Sequence, residues 1–202
     1  MKARLARSER QKQILEAAVR HFAQHGFSGA KTRGIALDCG VTEALLFQHF
    51  PSKKDLYRKI LDSRMGHPAR EIFPPFSRFG GDDRAFLRFV ASNLLSRMES
   101  EPLFTRLLLY SALEENRLAR EFVDRRVRKS LGYLSRYLAG RRRQGAFVGL
   151  DPVVAARAFL GTVVYHSLLT HLFRHPLPRR VSREALVDTW VDLFLDGVRR
   201  RA

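Results

Sequence analysis

Apolar residues recur every three to four positions along nearly the whole chain, and no stretch alternates with period two for long. That spacing lays one apolar stripe along a helix and leaves a half-buried strand no face to bury, so an all-α fold is expected. Caps and breakers divide the pattern into nine helices. The first covers 8–26, from a Ser8-x-x-Gln11 capping box to a stop at Gly26, with Ile14, Ala18 and Phe22 stacked on one face. Two short helices follow at 32–39 and 43–50, separated by Gly40, and a fourth opens at Ser52-x-x-Asp55 and runs towards Met65. Residues 66–82 hold Gly66, Pro68, Pro74, Pro75, Gly80 and Gly81, and read as a hinge or a broken helix. Beyond them, helices are expected at 84–100, 103–115, 118–144, 153–173 and 182–200. Asp151-Pro152 supplies an N-cap and a first-turn proline.

The chain has 202 residues, 45% of them hydrophobic and 28% charged, so it can bury a core and is no disordered polyelectrolyte. Its formal charge is +17, which points to nucleic acid, an anionic membrane or an acidic ligand without choosing among them. Residues 1–66 carry 13 Lys+Arg against 6 Asp+Glu, and residues 67–202 carry 24 against 14. The basic character is therefore densest at the N-terminus but is not an appended tail. The single cysteine, Cys39, excludes an intramolecular disulfide framework and any all-cysteine metal site. It is expected to be a small buried side chain rather than a redox sensor. No secretory pattern is visible at the start, and 155–173 is interrupted by Arg157, His166 and His171, so it is read as falling short of a membrane span. A cytoplasmic setting is expected.

Residues 32–50 carry the chemistry. Two short helices joined by a glycine-containing turn match a helix-turn-helix, whose second helix enters the DNA major groove, although the same pattern also occurs inside an ordinary all-α core. Ile35 and Ala36 give the first helix its buried face, and Val41, Leu46 and Phe50 serve the second. Gly40 supplies the positive φ of a sharp turn, and Thr42 is positioned as the N-cap of the second helix. Lys2, Arg4, Arg7, Arg10 and Lys12 precede this unit, and Lys53, Lys54, Arg58 and Lys59 follow it, as a phosphate-binding surface requires.

Thr32-Arg33-x-Ile35-Ala36, then Gly40-Val41-Thr42-Glu43-Ala44-Leu45-Leu46-Phe47-Gln48-His49-Phe50-Pro51-Ser52-Lys53-x-x-Leu56, resembles the TetR family of bacterial transcription regulators. Ala17-Ala18, Phe22 and Gly26-Phe27 fit the same N-terminal domain. The resemblance covers about residues 8–65 by motif and the remainder by architecture. It implies a three-helix DNA-binding domain at 1–51 and a larger helical ligand-binding and dimerisation domain at 52–202, with 52–66 as the connecting helix. It also implies a homodimer on a palindromic double-stranded operator, released by a small molecule, with no cofactor and no membrane partner. By position, Arg33, Glu43 and Gln48 would face base edges, Arg33 towards guanine and Gln48 towards adenine. Thr32, Thr42, His49 and Lys53 would contact phosphate. Phe47 stands where the family usually has a phosphate-bonding Tyr, and Leu45 where it has Ser or Thr. Lys31 takes a usual capping position, which leaves Ser28 as the candidate cap.

The second half mixes aromatic residues with sparse polar ones. Phe89, Asn93, Tyr110, Tyr137 and His166 are the candidate ligand contacts, although an ordinary helical core would use the same residue types. Asn93 is expected to be a buried amide in need of partners. His171 and His175 lie one helical turn apart, yet Pro176 follows and no carboxylate is close in sequence, so no metal site is assigned. Arg141, Arg142 and Arg143 read as a solvated helix end. The resemblance places the dimer contact on the last two helices, with Ala158, Thr162, Leu186, Trp190, Leu193 and Phe194 as its candidates. No phosphate loop or nucleophile motif supports an enzyme. The competing reading is a dimeric DNA-binding regulator, activator or repressor, without a small-molecule ligand.

Overall fold

Among the residues described by this computed structural model (7–65, 74–149 and 151–198) there are nine α-helices. The basic residues Lys2 and Arg4 and the hinge residues Gly66 and Pro68 lie outside the described residues. The helices fall into two compact units, Met1–His67 with Leu103–Asp124, and Pro68–Pro102 with Arg125–Ala202. This grouping follows packing and differs in kind from the functional division at residue 51.

In the first unit, α1 (Arg7–Gly29) buries Ile14, Ala17, Ala18, Val19, Phe22 and Ala23, the stripe its spacing predicts. Gly26 does not end this helix. It breaks it, with φ 70° and ψ −178°, and a further turn reaches Gly29. A Cβ at Gly26 would run into the Glu114 carboxylate and the Tyr110 ring, so the position needs glycine for its space as well as its φ. Helices α2 (Thr32–Asp38), α3 (Glu43–His49) and α4 (Lys53–Met65) pack Ile35, Ala36, Leu46, Leu56 and Ile60 onto the same core. Phe104 and Leu107 of α6 (Pro102–Leu113) and Ala119 and Phe122 of the following helix complete it. Tyr57 lies fully buried at its centre, edge-on to Phe22 and Phe27 at 5.1 and 5.2 Å between ring centroids.

Among the described residues, the first element of the second unit is a 3-10 turn, Phe76–Phe79, and Gly80 and Gly81 adopt φ of 59° and 89° before the next helix. Helix α5 (Asp83–Ser100) is capped by Asp82, whose side chain accepts the Ala85 N–H. Helix α7 (Arg117–Arg143) gives this unit its C-terminal part. Helices α8 (Pro152–Ser167) and α9 (Arg183–Val198) bring Ala156, Phe159, Val163, Val187, Val191 and Leu195 against Phe86, Leu87, Val90 and Leu134. Asp151 caps α8 by accepting the N–H groups of Val153 and Val154, with Pro152 in the first turn. Helix α8 continues as a π-type turn, Leu168–Leu172.

The membrane expectation needs one correction. Pro152–Leu172 spans 21 residues and contains an 18-residue window with a mean hydropathy of 1.4, so length and composition do admit a membrane span despite Arg157 and His166. Its packing supplies another reason for its apolarity: Ala155, Ala156, Phe159, Leu160 and Val163 are buried in the core of the second unit.

Candidate nucleic-acid interface

The helix-turn-helix is assembled from short-range geometry. Lys31 occupies the N-cap position of α2 without a side-chain cap, and its carbonyl accepts the Gly34 and Ile35 N–H groups. Ser28 does not replace it, because no side-chain cap serves α2 at all. Helix α2 lies close over α1 at Gly34, where a Cβ would come within 3.0 Å of His21 Cε1, and His21 Nε2 is 2.9 Å from Asp38 Oδ2. Gly40 takes φ 63°, and the Val41 N–H donates back to Ala36 O at 3.0 Å, which closes the turn. Thr42 caps α3 as expected, its hydroxyl oxygen accepting the Leu45 N–H at 3.2 Å. From behind, fully buried Leu46 anchors α3, a burial that contributes roughly 1.5–3 kcal/mol.

On the outer side, Arg33, Ala44, Phe47 and Gln48 are exposed, and no carboxylate pairs with Arg33 among the described residues. Glu43 Oε1 accepts the Thr32 hydroxyl at 2.5 Å. The two side chains therefore tie the start of α3 to the start of α2. His49 is half-buried, and its Nδ1 is buried with no partner, so only Nε2 can serve a group outside the chain. Lys53 is drawn inward. Its ammonium donates to Ser28 O at 3.1 Å and lies 5.0 Å from the Phe27 ring centroid. Burial pushes its pKa down, against the opposing pull of the Glu114 carboxylate. Cys39 is half-buried, and desolvation pushes its thiol pKa up, which lowers the thiolate fraction a redox sensor needs.

Three long-range contacts behind this surface left no mark in the sequence. Glu114 accepts the Phe27 N–H at 2.6 Å and the Ser28 N–H at 3.0 Å, taking two orphan donors beside the Gly26 break. Arg106 Nε donates to Ala23 O at 2.8 Å. Tyr57 and Ser111 share a buried 2.5 Å hydroxyl pair, and burial pushes the Tyr57 pKa up to about 12. Segment 103–124 thus holds the end of α1, just before the chain enters α2. Sequence spacing cannot reveal pairs 54 to 87 residues apart.

The ligand candidates do not gather at one place. Tyr137 lines a cleft of about 390 Å³ in the second unit, together with Pro75, Phe76, Tyr133, Arg136, Gly140, Arg141 and Gln144. Tyr110 belongs to the first unit, where it is partly exposed beside Gly26. Phe89 stacks obliquely on Phe79 at 5.4 Å, Asn93 is half-buried rather than buried, and His166 meets Trp190 edge-on at 5.3 Å. Arg141 is no solvated end: its Nη2 donates to Asp83 Oδ2 at 2.8 Å, and Asp83 is only 7% exposed. His171 lies in the π-type turn, whereas His175 follows Arg174 with its φ of 54°, so the two do not share a helix face. Among the described residues, no three His, Cys, Asp or Glu side chains gather to hold a metal.

Of the dimer candidates, Leu193 is 70% exposed, and Ala158 and Thr162 are exposed on α8. Leu186, Trp190 and Phe194 are half-buried against their own core, Phe194 at 4.9 Å from Phe159. Val154, Ala158, Gly161 and Tyr165 on α8 and Leu186, Trp190, Leu193 and Gly197 on α9 each follow the three-to-four spacing of a single helix face.

Comparison with known proteins agrees with this geometry. The profile of bacterial regulatory proteins of the tetR family matches residues 14–60, and that of the C-terminal domain of AefR-like transcriptional repressors matches residues 85–197. The HTH-type transcriptional regulator SrpR of Pseudomonas putida is 27% identical over 158 residues, covering 77% of this chain and 72% of that protein. The nucleoid occlusion factor SlmA of Vibrio cholerae is 28% identical over 160 residues, 76% of this chain and 80% of that one. A TetR-family regulator structure from Mesorhizobium loti superposes with a TM-score of 0.70 over 98% of this chain and all of that one, at 18% identity, which speaks for the fold alone. With one profile spanning the helix-turn-helix and the other more than half of the chain, this protein belongs to the TetR family and is a DNA-binding transcriptional regulator.

Proposed function

We propose that this chain acts in the cytoplasm as a homodimeric repressor that binds a palindromic operator and is released by a small molecule held in its second unit. The observation that carries the reading is the outer side of the helix-turn-helix. Arg33 and Gln48 are exposed there, with chemistry suited to guanine and adenine edges, while Leu46 and the Thr42 cap fix α3 from behind. Thr32 and Glu43 act as a linked pair that sets the start of the recognition helix. His49 Nε2 and the free donor of the Thr42 hydroxyl serve phosphate. Lys53 contributes more by positioning Ser28 than by contacting DNA.

Dimerisation is supported by the apolar stripes of α8 and α9, where Tyr165 is 64% exposed and Gly161 permits close helix approach. A symmetric contact of two helices from each protomer would cover them. Release by a small molecule is supported by the cleft beside Tyr137, whose volume lies within the range of small-molecule sites. A second reading, a dimeric DNA-binding protein without an effector, draws on the match to SlmA, whose name is that of a nucleoid occlusion factor.

The test begins with in vitro selection of DNA from a random pool, followed by light scattering of the protein at micromolar concentration with and without the selected duplex. Dimers on a selected sequence with inverted half-sites are expected. Monomer under both conditions, or selected DNA without two-fold symmetry, would overturn the dimer and the palindrome together.

A further inference from the structure

The cleft of the second unit has a definite chemical character. Its lining residues come from two places: Pro75 and Phe76 at the 3-10 turn, and Tyr133, Arg136, Tyr137, Gly140 and Arg141 on α7 with Gln144 just beyond its end. The charges in it are not equivalent. The Arg141 guanidinium is already neutralised, with Nη2 donating to Asp83 Oδ2 and Nε 2.8 Å from Asp83 Oδ1. Asp83 in turn accepts the Tyr137 hydroxyl at 2.5 Å, so both of its oxygens are in use. Arg136 is exposed, and no carboxylate pairs with it among the described residues. Among the described residues, the cleft therefore has one uncompensated cation. Its walls are aromatic: Phe76 lies 4.8 Å from Tyr137 between ring centroids, and Arg141 lies over Phe76 at 5.5 Å. Gly140 leaves the remaining side open, because a Cβ there would meet nothing within 4 Å.

We infer that this cleft binds a small aromatic monoanion, a flat ring carrying a carboxylate or sulfonate, with the ring against Phe76 and Tyr137 and the anion on Arg136. A neutral ring would gain only the apolar contact, and a cation would meet Arg136 unfavourably. A polyanion would find no second free charge among the described residues of the cleft, since Arg141 is already paired. The inference deepens the effector reading above and rests on it only for the consequence to DNA, not for binding itself.

The test uses 8-anilinonaphthalene-1-sulfonate as the aromatic anion and N-phenyl-1-naphthylamine as its uncharged counterpart. Both are titrated by fluorescence into the full chain, and calorimetry counts the sites. One sulfonate site per chain is expected. Arg136→Gln should weaken the sulfonate about tenfold and leave the neutral probe unchanged, whereas Arg143→Gln, on the same helix outside the cleft, should change neither by more than about twofold. Gly140→Leu should abolish both, and it improves helix propensity, so the fold is kept. Equal weakening by Arg136→Gln and Arg143→Gln would reduce the effect to surface charge and overturn the inference, as would unaltered binding to Gly140→Leu. Binding as described that leaves affinity for the selected DNA unchanged would uphold the cleft and sink the effector reading. Release from DNA by another compound, undiminished in Gly140→Leu, would uphold the effector reading and remove the cleft as its site.

Discussion

Glu114 and Asp83 are both carboxylates set among helices, and the two units use them in different ways. Both Glu114 oxygens accept main-chain N–H groups, those of Phe27 and Ser28, where α1 breaks at Gly26. Both Asp83 oxygens accept side chains, the Tyr137 hydroxyl and the Arg141 guanidinium. Their surroundings follow the same division. In the first unit Arg106 and Lys53 also hold carbonyls of α1 and its final turn, at Ala23 and Ser28. In the second, Arg84 pairs with Asp188 and Asp192, Arg88 with Asp188, and Arg183 with Glu99. The division is not complete, since Arg183 also reaches Ser92 O and Tyr57 meets Ser111. What differs is the quantity held constant. Side chains gripping the main chain fix its path, which a recognition helix needs to keep register with base edges. Side chains gripping one another set the spacing between helices and leave room for a cleft.

The largest expected effect comes from breaking the first arrangement. Glu114→Ala leaves two amides without their charged acceptor, a cost of about 2–3 kcal/mol in urea unfolding, given that hydrogen bonds to charged groups contribute about 1.5–3 kcal/mol. Because those amides steer the chain into α2, affinity for the selected DNA should fall at least tenfold, and Glu114→Gln should recover part of it. Asp83→Asn should cost about 2 kcal/mol, less than a fully buried pair because the Arg141 side chain is 22% exposed, and should leave DNA affinity within twofold. If Asp83→Asn weakened DNA binding as much as Glu114→Ala, the contrast between the units would be lost.

A smaller effect concerns Tyr57. Its folded pKa of about 12 lies above the ordinary tyrosine value, so the neutral hydroxyl stabilises the fold fully below pH 10, and that contribution is lost as pH rises towards 12. Ultraviolet titration of the five tyrosines should therefore contain a late component that Tyr57→Phe reduces, the remainder coming from Tyr133, whose pKa burial also raises. A Tyr57 that ionises with the exposed tyrosines would mean that the α4–α6 contact opens freely.

These contrasts also mark what could be read from the chain. Gly40, Thr42 and Leu46 were legible because turn geometry, capping and burial act within four residues, where spacing carries the signal. The nine helices followed from the same periodicity. Gly26 was visible as a breaker, but its crowding by Glu114 and Tyr110 was not, since those residues lie more than 80 positions away. Arg141 looked like a solvated end because Asp83 stands 58 residues earlier. Helix α8 misled in the opposite direction. Its charges suggested too little apolarity for a span, although an 18-residue window within Pro152–Leu172 is apolar enough. The excess charge of the second half is now located: α7 alone carries ten Lys or Arg against Glu121 and Asp124.

The central claim is that the exposed side of α2 and α3 reads bases while the residues behind it hold position. The most direct measurement compares Arg33→Ala with the parent protein on selected and random duplexes by fluorescence anisotropy over a range of salt. The expected loss is about 1–3 kcal/mol on the selected site, concentrated at one base-pair position, with binding to random DNA little changed. Equal losses on both duplexes would make Arg33 a phosphate contact and contradict the assignment of this surface as the one that reads sequence.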